Sequence, residues 1–309
     1  MDLKLRIART AARIATRLNL ADTTVVEAIK DQVLRSLQAD LEGHAVRVDG
    51  FDMFLNPRDR TSAMRYLTNN YEPFETEIVR RIPLAGATAL DIGANIGYYS
   101  LLTSAAVGPK GRVYAFEPES RNFGLLEKNL ALNHATNVTA FRLAVSDAPG
   151  TGTLVLSPTN MGDHRLAFGA SAGAPRAADS QVVEVDSLDR RLERERVTEV
   201  DFIKLDVQGH EHRVLVGARR LLTRQAHRLV ILMELEPEAL RAAGTNPEAL
   251  LTYLRGFDFQ VLALDVEHRA VIPLTAGSST GAGRTFYNVL LVGSDRTDVL
   301  RAMGLSPPD

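Results

Sequence analysis

The chain has 309 residues, 45% of them hydrophobic and 24% charged, with a formal net charge of −2. That composition is that of an ordinary globular protein, either one large domain or one domain with an appendage. It holds no basic surplus for nucleic acid, no uninterrupted apolar run of about 18 residues for a transmembrane helix, and no cysteine for disulfides, thiolate metal sites or a thiol nucleophile, so the expected compartment is cytoplasmic.

The first residues set Lys4, Arg6, Arg9, Arg13 and Arg17 against Leu3, Leu5, Ile7, Ala11 and Ile14, a basic amphipathic helix. It lacks the apolar core of a secretory signal. It can lie on a membrane surface, but packing on its own protein or on a second copy, as a homodimer, is the expected use. A second helix is predicted from about Thr23 to Ala39, with Val25, Ile29, Val33 and Leu37 on one face. Ala45 to Asn56 reads as a hairpin turned at Asp49-Gly50. Residues 1–69 are thus expected to form a helical appendage for dimer or substrate contact, 70–296 the core and 297–309 a tail. Asn69 to Ile82 carries Tyr71, Glu72, Phe74 and Glu75 into a helix that leads straight to the next strand. Tyr71 and Glu75 can therefore line the mouth of a cofactor site there, although ordinary packing and capping explain them equally.

Ala87-Thr88-Ala89-Leu90 is a short apolar run typical of a buried parallel strand, and Asp91, Gly93, Asn95 and Gly97 follow it before a helical pattern. Strand, glycine turn and helix make a nucleotide-binding corner. The spacing is G-x-x-x-G behind an aspartate, not G-x-G-x-x-G. A pyrophosphate wants bare helix N–H groups, whereas a ligand bearing an amino acid wants a carboxylate for its ammonium. The pattern therefore favours S-adenosylmethionine over a dinucleotide. A second strand, Gly111 to Phe116, ends in Glu117, where ribose-binding folds place the acid that accepts the hydroxyls. Capping of the following helix is the alternative use of that carboxylate.

Strands and helices then alternate, which predicts an α/β protein with a doubly wound, mostly parallel sheet. Asn137 to Val145 is a third strand, and Asp147 after it can sit beside the adenine or simply form an Asx turn before Pro149-Gly150. Ser157 to Arg176 is a long Gly/Ala/Ser-rich excursion. Within it, His164 and Arg165 can close over an acceptor carrying hydroxyls or a carboxylate. Asp201 to Asp206 is the fourth strand and Leu229 to Leu235 the fifth, with Glu234 near its end. Gln260 to Asp265 and Thr285 to Val292 are expected as an antiparallel edge pair.

Ligands in such sheets lie beyond the carboxyl ends of the strands where their order switches, here between the glycine strand and the fourth. Asp206 projects at that crevice, and period-two alternation puts Lys204 on the same face, deeper in the sheet. A buried lysine must be paired or functional. His210 and Glu211 open the next helix. Methyl transfer to an alcohol needs a proton acceptor or a metal. Asp206 or His210 can be the base, and a Mg²⁺ site built from Asp206, Glu234 and Glu211 is the other option.

The segments D-I-G-A-N-I-G-Y (91–98), F-E-P (116–118), T-N-M-G-D-H-R (159–165) and K-L-D-V-Q-G-H-E (204–211) resemble the FkbM family of methyltransferases across roughly residues 70–292. The resemblance implies a Rossmann-like, seven-stranded class I methyltransferase core, S-adenosylmethionine as donor, and O-methylation of a small-molecule acceptor such as a sugar, glycolipid, polysaccharide unit or polyketide-type product. One departure is Gln208, where the family commonly has glutamate. The rival readings are a nicotinamide-dependent reductase, against which stands the missing third glycine, and a non-catalytic cofactor-binding scaffold, against which stands the Lys204/Asp206/His210/Glu211 cluster.

Overall fold

A computed structural model describes residues 43–56, 59, 62–67, 69, 71–157, 160–167, 180–274 and 288–306, with Gln32 and Leu41 besides. The two helices expected before residue 40, their dimer contact, and most of the excursion after Ser157 lie outside the described residues.

Strands β1 (Val46–Val48) and β2 (Phe51–Met53) pair antiparallel. Asp49 and Gly50 at their turn both take positive φ, 46° and 98°, which matches a two-residue connection to strand twist. The hairpin is not detached from the core: Val46, Val48 and Met53 are buried in one cluster with Ile78 and Leu101. Helices α1 (Ser62–Leu67) and α2 (Pro73–Arg81) follow.

From there the chain runs β3 (Thr88–Ile92), α3 (Tyr98–Val107), β4 (Arg112–Phe116), α4 (Ser120–Leu132), β5 (Val138–Phe141) and β6 (Ala144–Ser146). An insertion of β7 (Gly150–Val155), β8 (Arg165–Ala167) and β9 (Ser180–Ser187) precedes α5 (Leu188–Arg194), β10 (Phe202–Leu205), α6 (Glu211–Gly217) and α7 (Arg219–Gln225). The rest is β11 (Val230–Glu234), α8 (Pro237–Ala242), α9 (Pro247–Leu254), β12 (Phe259–Asp265), β13 (Ala270–Pro273), β14 (Asn288–Gly293) and α10 (Thr297–Ala302).

The central sheet has the order β13-β12-β14-β11-β10-β3-β4-β5. Strands β5, β4, β3, β10 and β11 are parallel, while β14 pairs antiparallel with both β11 and β12. The order switches between β3 and β10, the two strands that carry Asp91 and Asp206. Alternate residues of β10 and β11 serve two cores, Phe202, Val230 and Leu232 on one face and Ile203, Leu205, Ile231 and Met233 on the other. Helices cover both faces, which is why these strands read as continuous apolar runs.

Three expectations change. The sheet has eight strands, because the four-residue β13 pairs with β12 at the edge, and so short a run is hard to tell from a loop. The third predicted strand is two: the chain leaves the central sheet after Phe141, and β6 joins a smaller sheet of order β6-β9-β7-β8. The predicted tail starts with helix α10, whose Val299 and Leu300, with Met303 just beyond, are buried in the main core. Among the described residues no helix is long and apolar enough to cross a membrane.

Candidate active site

The glycine corner is shaped by close approach. Gly93 has φ +87°, and a Cβ there would sit 1.8 Å from the Asp206 carbonyl oxygen. The backbone N–H groups of Gly93 and Ala94 both donate to Phe116 O at 2.9 Å. This locks the ends of β3 and β4 together. Gly97, with φ +93°, lets Leu126 of α4 approach within 2.7 Å of where its Cβ would be. Asp91, buried at the end of β3, accepts from Ser100 Oγ at 2.5 Å. Burial raises its pKa to about 6, with Ser100 and Lys204 opposing. Glu117, buried at the end of β4, accepts from the backbone N–H of Asn95 and of Glu119, each at 2.8 Å. Burial raises it to about 8 against those bonds.

Beyond β10, Lys204 is 2% exposed, and parallel register sets it beside Asp91. Its Nζ donates to Asp206 Oδ2 at 3.2 Å and lies 4.8 Å from the Tyr99 ring centroid. Burial works against its charge, but Asp206, Glu72, Glu234 and Asp91 outweigh that and hold the pKa above its ordinary value. Asp206 shows the reverse balance: burial would raise it, yet Lys204 and Gln208 hold it below the usual carboxylate range. Gln208 Nε2 donates to Asp206 Oδ1 and to Glu234 Oε2, both at 2.8 Å. Burial and then the Asp206 charge push Glu234 to about 10, so it keeps its proton beside an ionised Asp206. The glutamine thus bridges two carboxyl groups where a glutamate would set a second negative charge beside Asp206.

Two hollows meet at this point. The first holds Glu117, Phe116, Asn122, Met161, His164 and His210. The second, of about 390 Å³, holds Tyr71, Glu72, Asp91, Lys204, Glu234 and Arg165. Gly93, Asn95, Gly162, Asp206 and Gln208 border both. One cleft therefore runs from Glu117 past Asp206 to Asp91.

Several expected residues stand elsewhere. His210 faces the first hollow, not the second, and its Nε2 lies 2.9 Å from Ser146 Oγ. Burial, helped by Arg213, lowers it to about 4, which leaves a neutral ring with little basicity. Glu211 lines neither hollow: its Oε1 accepts from the N–H groups of Val207 and Gly209 and fixes the turn that presents Gln208. Asp147 is exposed and bound by Arg213 at 3.0 Å and by Ser146 Oγ at 2.9 Å, away from both hollows. Its strand has left the central sheet, and the carboxylate leaves with it. Glu75 accepts from Asn288 Nδ2 at 2.8 Å inside the protein and borders neither hollow. The acid that does face the second hollow is its neighbour Glu72, which accepts from Tyr99 Oη at 2.6 Å. His164 Nδ1 accepts from the Ser157 N–H at 3.0 Å, and Arg165 pairs with Asp163 at 2.7 Å. Among the described residues no group of three His, Asp or Glu side chains could hold a metal ion, so the Mg²⁺ reading of Asp206, Glu234 and Glu211 finds no support. Asn122 was also missed, since the sequence gives no sign that its amide turns inward rather than toward solvent.

The chain matches the family described as "Methyltransferase FkbM domain" over residues 91–261. It is 28% identical over 206 residues to the AMB antimetabolite synthetase AmbE of Pseudomonas aeruginosa, covering 57% of this chain and 10% of that one. It is 28% identical to Methyltransferase sdnD of Sordaria araneosa, covering 55% of this chain and 73% of that one. It is 29% identical to Hexuronic acid methyltransferase AglP of Haloferax volcanii, covering 43% of this chain and 50% of that one. The matches thus span a tenth, nearly three quarters and half of these relatives' lengths.

Proposed function

The chain belongs to the FkbM family of methyltransferases, and from that premise we propose that it methylates a hydroxyl of a sugar or related natural-product small molecule. It is an S-adenosylmethionine-dependent methyltransferase of class I. The residues present fit that cofactor. Asn95 and Asn122 each hold a buried side-chain oxygen without a partner among the described residues, and each Glu117 oxygen has one hydrogen bond and a lone pair to spare. When bound, the cofactor supplies an electrophilic methyl on a sulfonium.

Glu117 accepts the ribose hydroxyls and Asp91 meets the ammonium, with Asn95 between them and Tyr71 on the wall. Asp206 takes the proton of the acceptor hydroxyl. A carboxylate of lowered pKa suffices, because an oxygen that has begun to bond to carbon holds its proton weakly. Lys204 keeps Asp206 ionised, and Gln208 fixes its orientation. Arg165, bordering the second hollow with His164 behind it, orients an acceptor that carries hydroxyls or a carboxylate.

The observation that carries this reading is that Asp206 borders both hollows, with Glu117 on the first and Asp91 on the second. The test is methyl-labelled S-adenosylmethionine with a panel of a hexuronic acid, a neutral hexose, a polyketide alcohol and an amine. One relative's name puts the uronic acid first. Label in an O-methyl product is expected. Label in the amine alone, or in no hydroxyl compound, contradicts the reading.

A further inference from the structure

The segment 160–167 roofs the cleft. Met161 and His164 border the first hollow, Asp163 and Arg165 the second, and Gly162 both. Among the described residues, one side-chain hydrogen bond ties this strap to the nucleotide-binding half of the sheet. Asn122, in the first turn of α4, donates from Nδ2 to Met161 O at 2.9 Å. Its backbone N–H is already taken by Glu119 Oε2 at 2.8 Å. The side chain is 2% exposed, and its Oδ1 is buried without a partner among the described residues. Because Nδ2 must face the Met161 carbonyl, the amide cannot turn over, and Oδ1 is committed to the other direction. Both Asn122 and Met161 border the first hollow, beside Glu117 and Phe116. A buried amide oxygen left without a donor is costly unless something that enters the site supplies one.

We propose that Asn122 joins the cofactor to the strap: Oδ1 accepts a hydrogen bond from the adenosyl group while Nδ2 holds residues 160–167 across it. This rests on the methyltransferase reading and adds to it a residue and a coupling. The donor is the exocyclic amine of adenine, since the ribose hydroxyls give their protons to Glu117. A nucleoside that fixes Oδ1 fixes the whole amide, and with it the bond to Met161. Loading the first hollow therefore steadies the strap that bears Asp163 and Arg165 over the second. By linkage, a steadied strap tightens the nucleoside by the same factor. The cofactor then binds first and the acceptor second, since the acceptor's wall is completed only when the nucleoside is in place.

The test uses S-adenosylhomocysteine and its inosyl analogue without the exocyclic amine. Each is titrated calorimetrically into the wild type, Asn122→Ala and Asn122→Asp, and amide hydrogen exchange of 160–167 is followed with and without S-adenosylhomocysteine. In the wild type the inosyl analogue binds about tenfold more weakly than S-adenosylhomocysteine. In Asn122→Ala, S-adenosylhomocysteine itself drops by about tenfold and that analogue loses nothing further. Added ligand slows exchange in the strap of the wild type but not of Asn122→Ala. Asn122→Asp keeps the acceptor and turns an oxygen on Met161 O, so it binds S-adenosylhomocysteine better than Asn122→Ala and still leaves the strap unprotected. Comparison between the two ligands within one variant cancels general damage from the substitution. Binding to Asn122→Ala within twofold of the wild type overturns the proposal, as does an equal loss for both ligands or unchanged protection of the strap. A wild type that binds no S-adenosylhomocysteine overturns the methyltransferase reading, and this proposal with it.

Discussion

Lys204 is a cation placed inside a parallel sheet, and its surroundings explain how it is tolerated. Asp206, Glu72, Glu234 and Asp91 all act on it, so removing its charge leaves several carboxylates facing one another in a buried place. Lys204→Met should cost about 3–5 kcal/mol at pH 8, read by urea denaturation. The cost should shrink toward pH 5, as Asp91, raised to about 6, takes up a proton. Asp206→Asn should lower turnover by about a hundredfold or more with cofactor affinity largely kept; wild-type rates would remove it from the chemistry. Glu117 titrates in the opposite sense to a salt-bridged acid. Its folded pKa of about 8 lies above the unfolded value, so its contribution to stability is full below about pH 4.5 and is lost as pH climbs through 8. Between pH 5 and 9 the melting temperature of the ligand-free wild type should therefore fall more than that of Glu117→Gln. Equal slopes would show that Glu117 ionises normally. At this scale the sequence is informative where chemistry depends on a strand end. Asp91, Glu117 and Asp206 follow apolar runs, and the last residue of a parallel strand points at the crevice. It is uninformative where a turn decides: Glu72 precedes α2 with φ +42° and borders the cleft, while Glu75 in the first turn of α2 meets Asn288.

Turns carry the site more than helices do. The one after β3 depends on Gly93, and Gly93→Ala would need both a left-handed alanine and relief of a Cβ contact only 1.8 Å from Asp206 O. The neighbour is backbone and cannot swing away, so the substitution should cost about 3 kcal/mol or more and disturb Asp206 together with Asp91. Unchanged urea midpoints would mean that the two strand ends are less tightly joined. The turn after β10 is built in the same way: Gln208 has φ +54°, Gly209 has φ +97°, and Glu211 ties its N–H groups. Glu211 and His210, expected at the reacting centre, thus serve this turn and the wall behind it. The split of the third strand could not be foreseen from F-R-L-A-V, because all five residues suit a strand. What divides them is that Ala144 packs with Leu154, Val183 and Val185 while Val145 joins the core of Ile92, Ile203 and Leu205. That detour also carries Asp147 away from the cleft.

At the scale of the whole molecule, alternation of apolar runs and helical periods was enough to place the switch point, since β3 carries Asp91 one residue before its end and β10 is followed directly by Asp206. The edge was not legible, because β13 is short. The hairpin was legible as a hairpin but not as part of the core, a matter of which residues it meets: Asn129 holds both the Phe54 backbone and Ile96 O of the glycine corner. The measurement that bears most directly on all this is a crystal structure with S-adenosylhomocysteine bound. Its ribose should lie on Glu117, its amino group toward Asp91 and its sulfur nearest the side where Asp206 and Gln208 border both hollows. A ligand lodged outside the cleft, or a sulfur turned away from Asp206 with the ribose far from Glu117, would contradict the account.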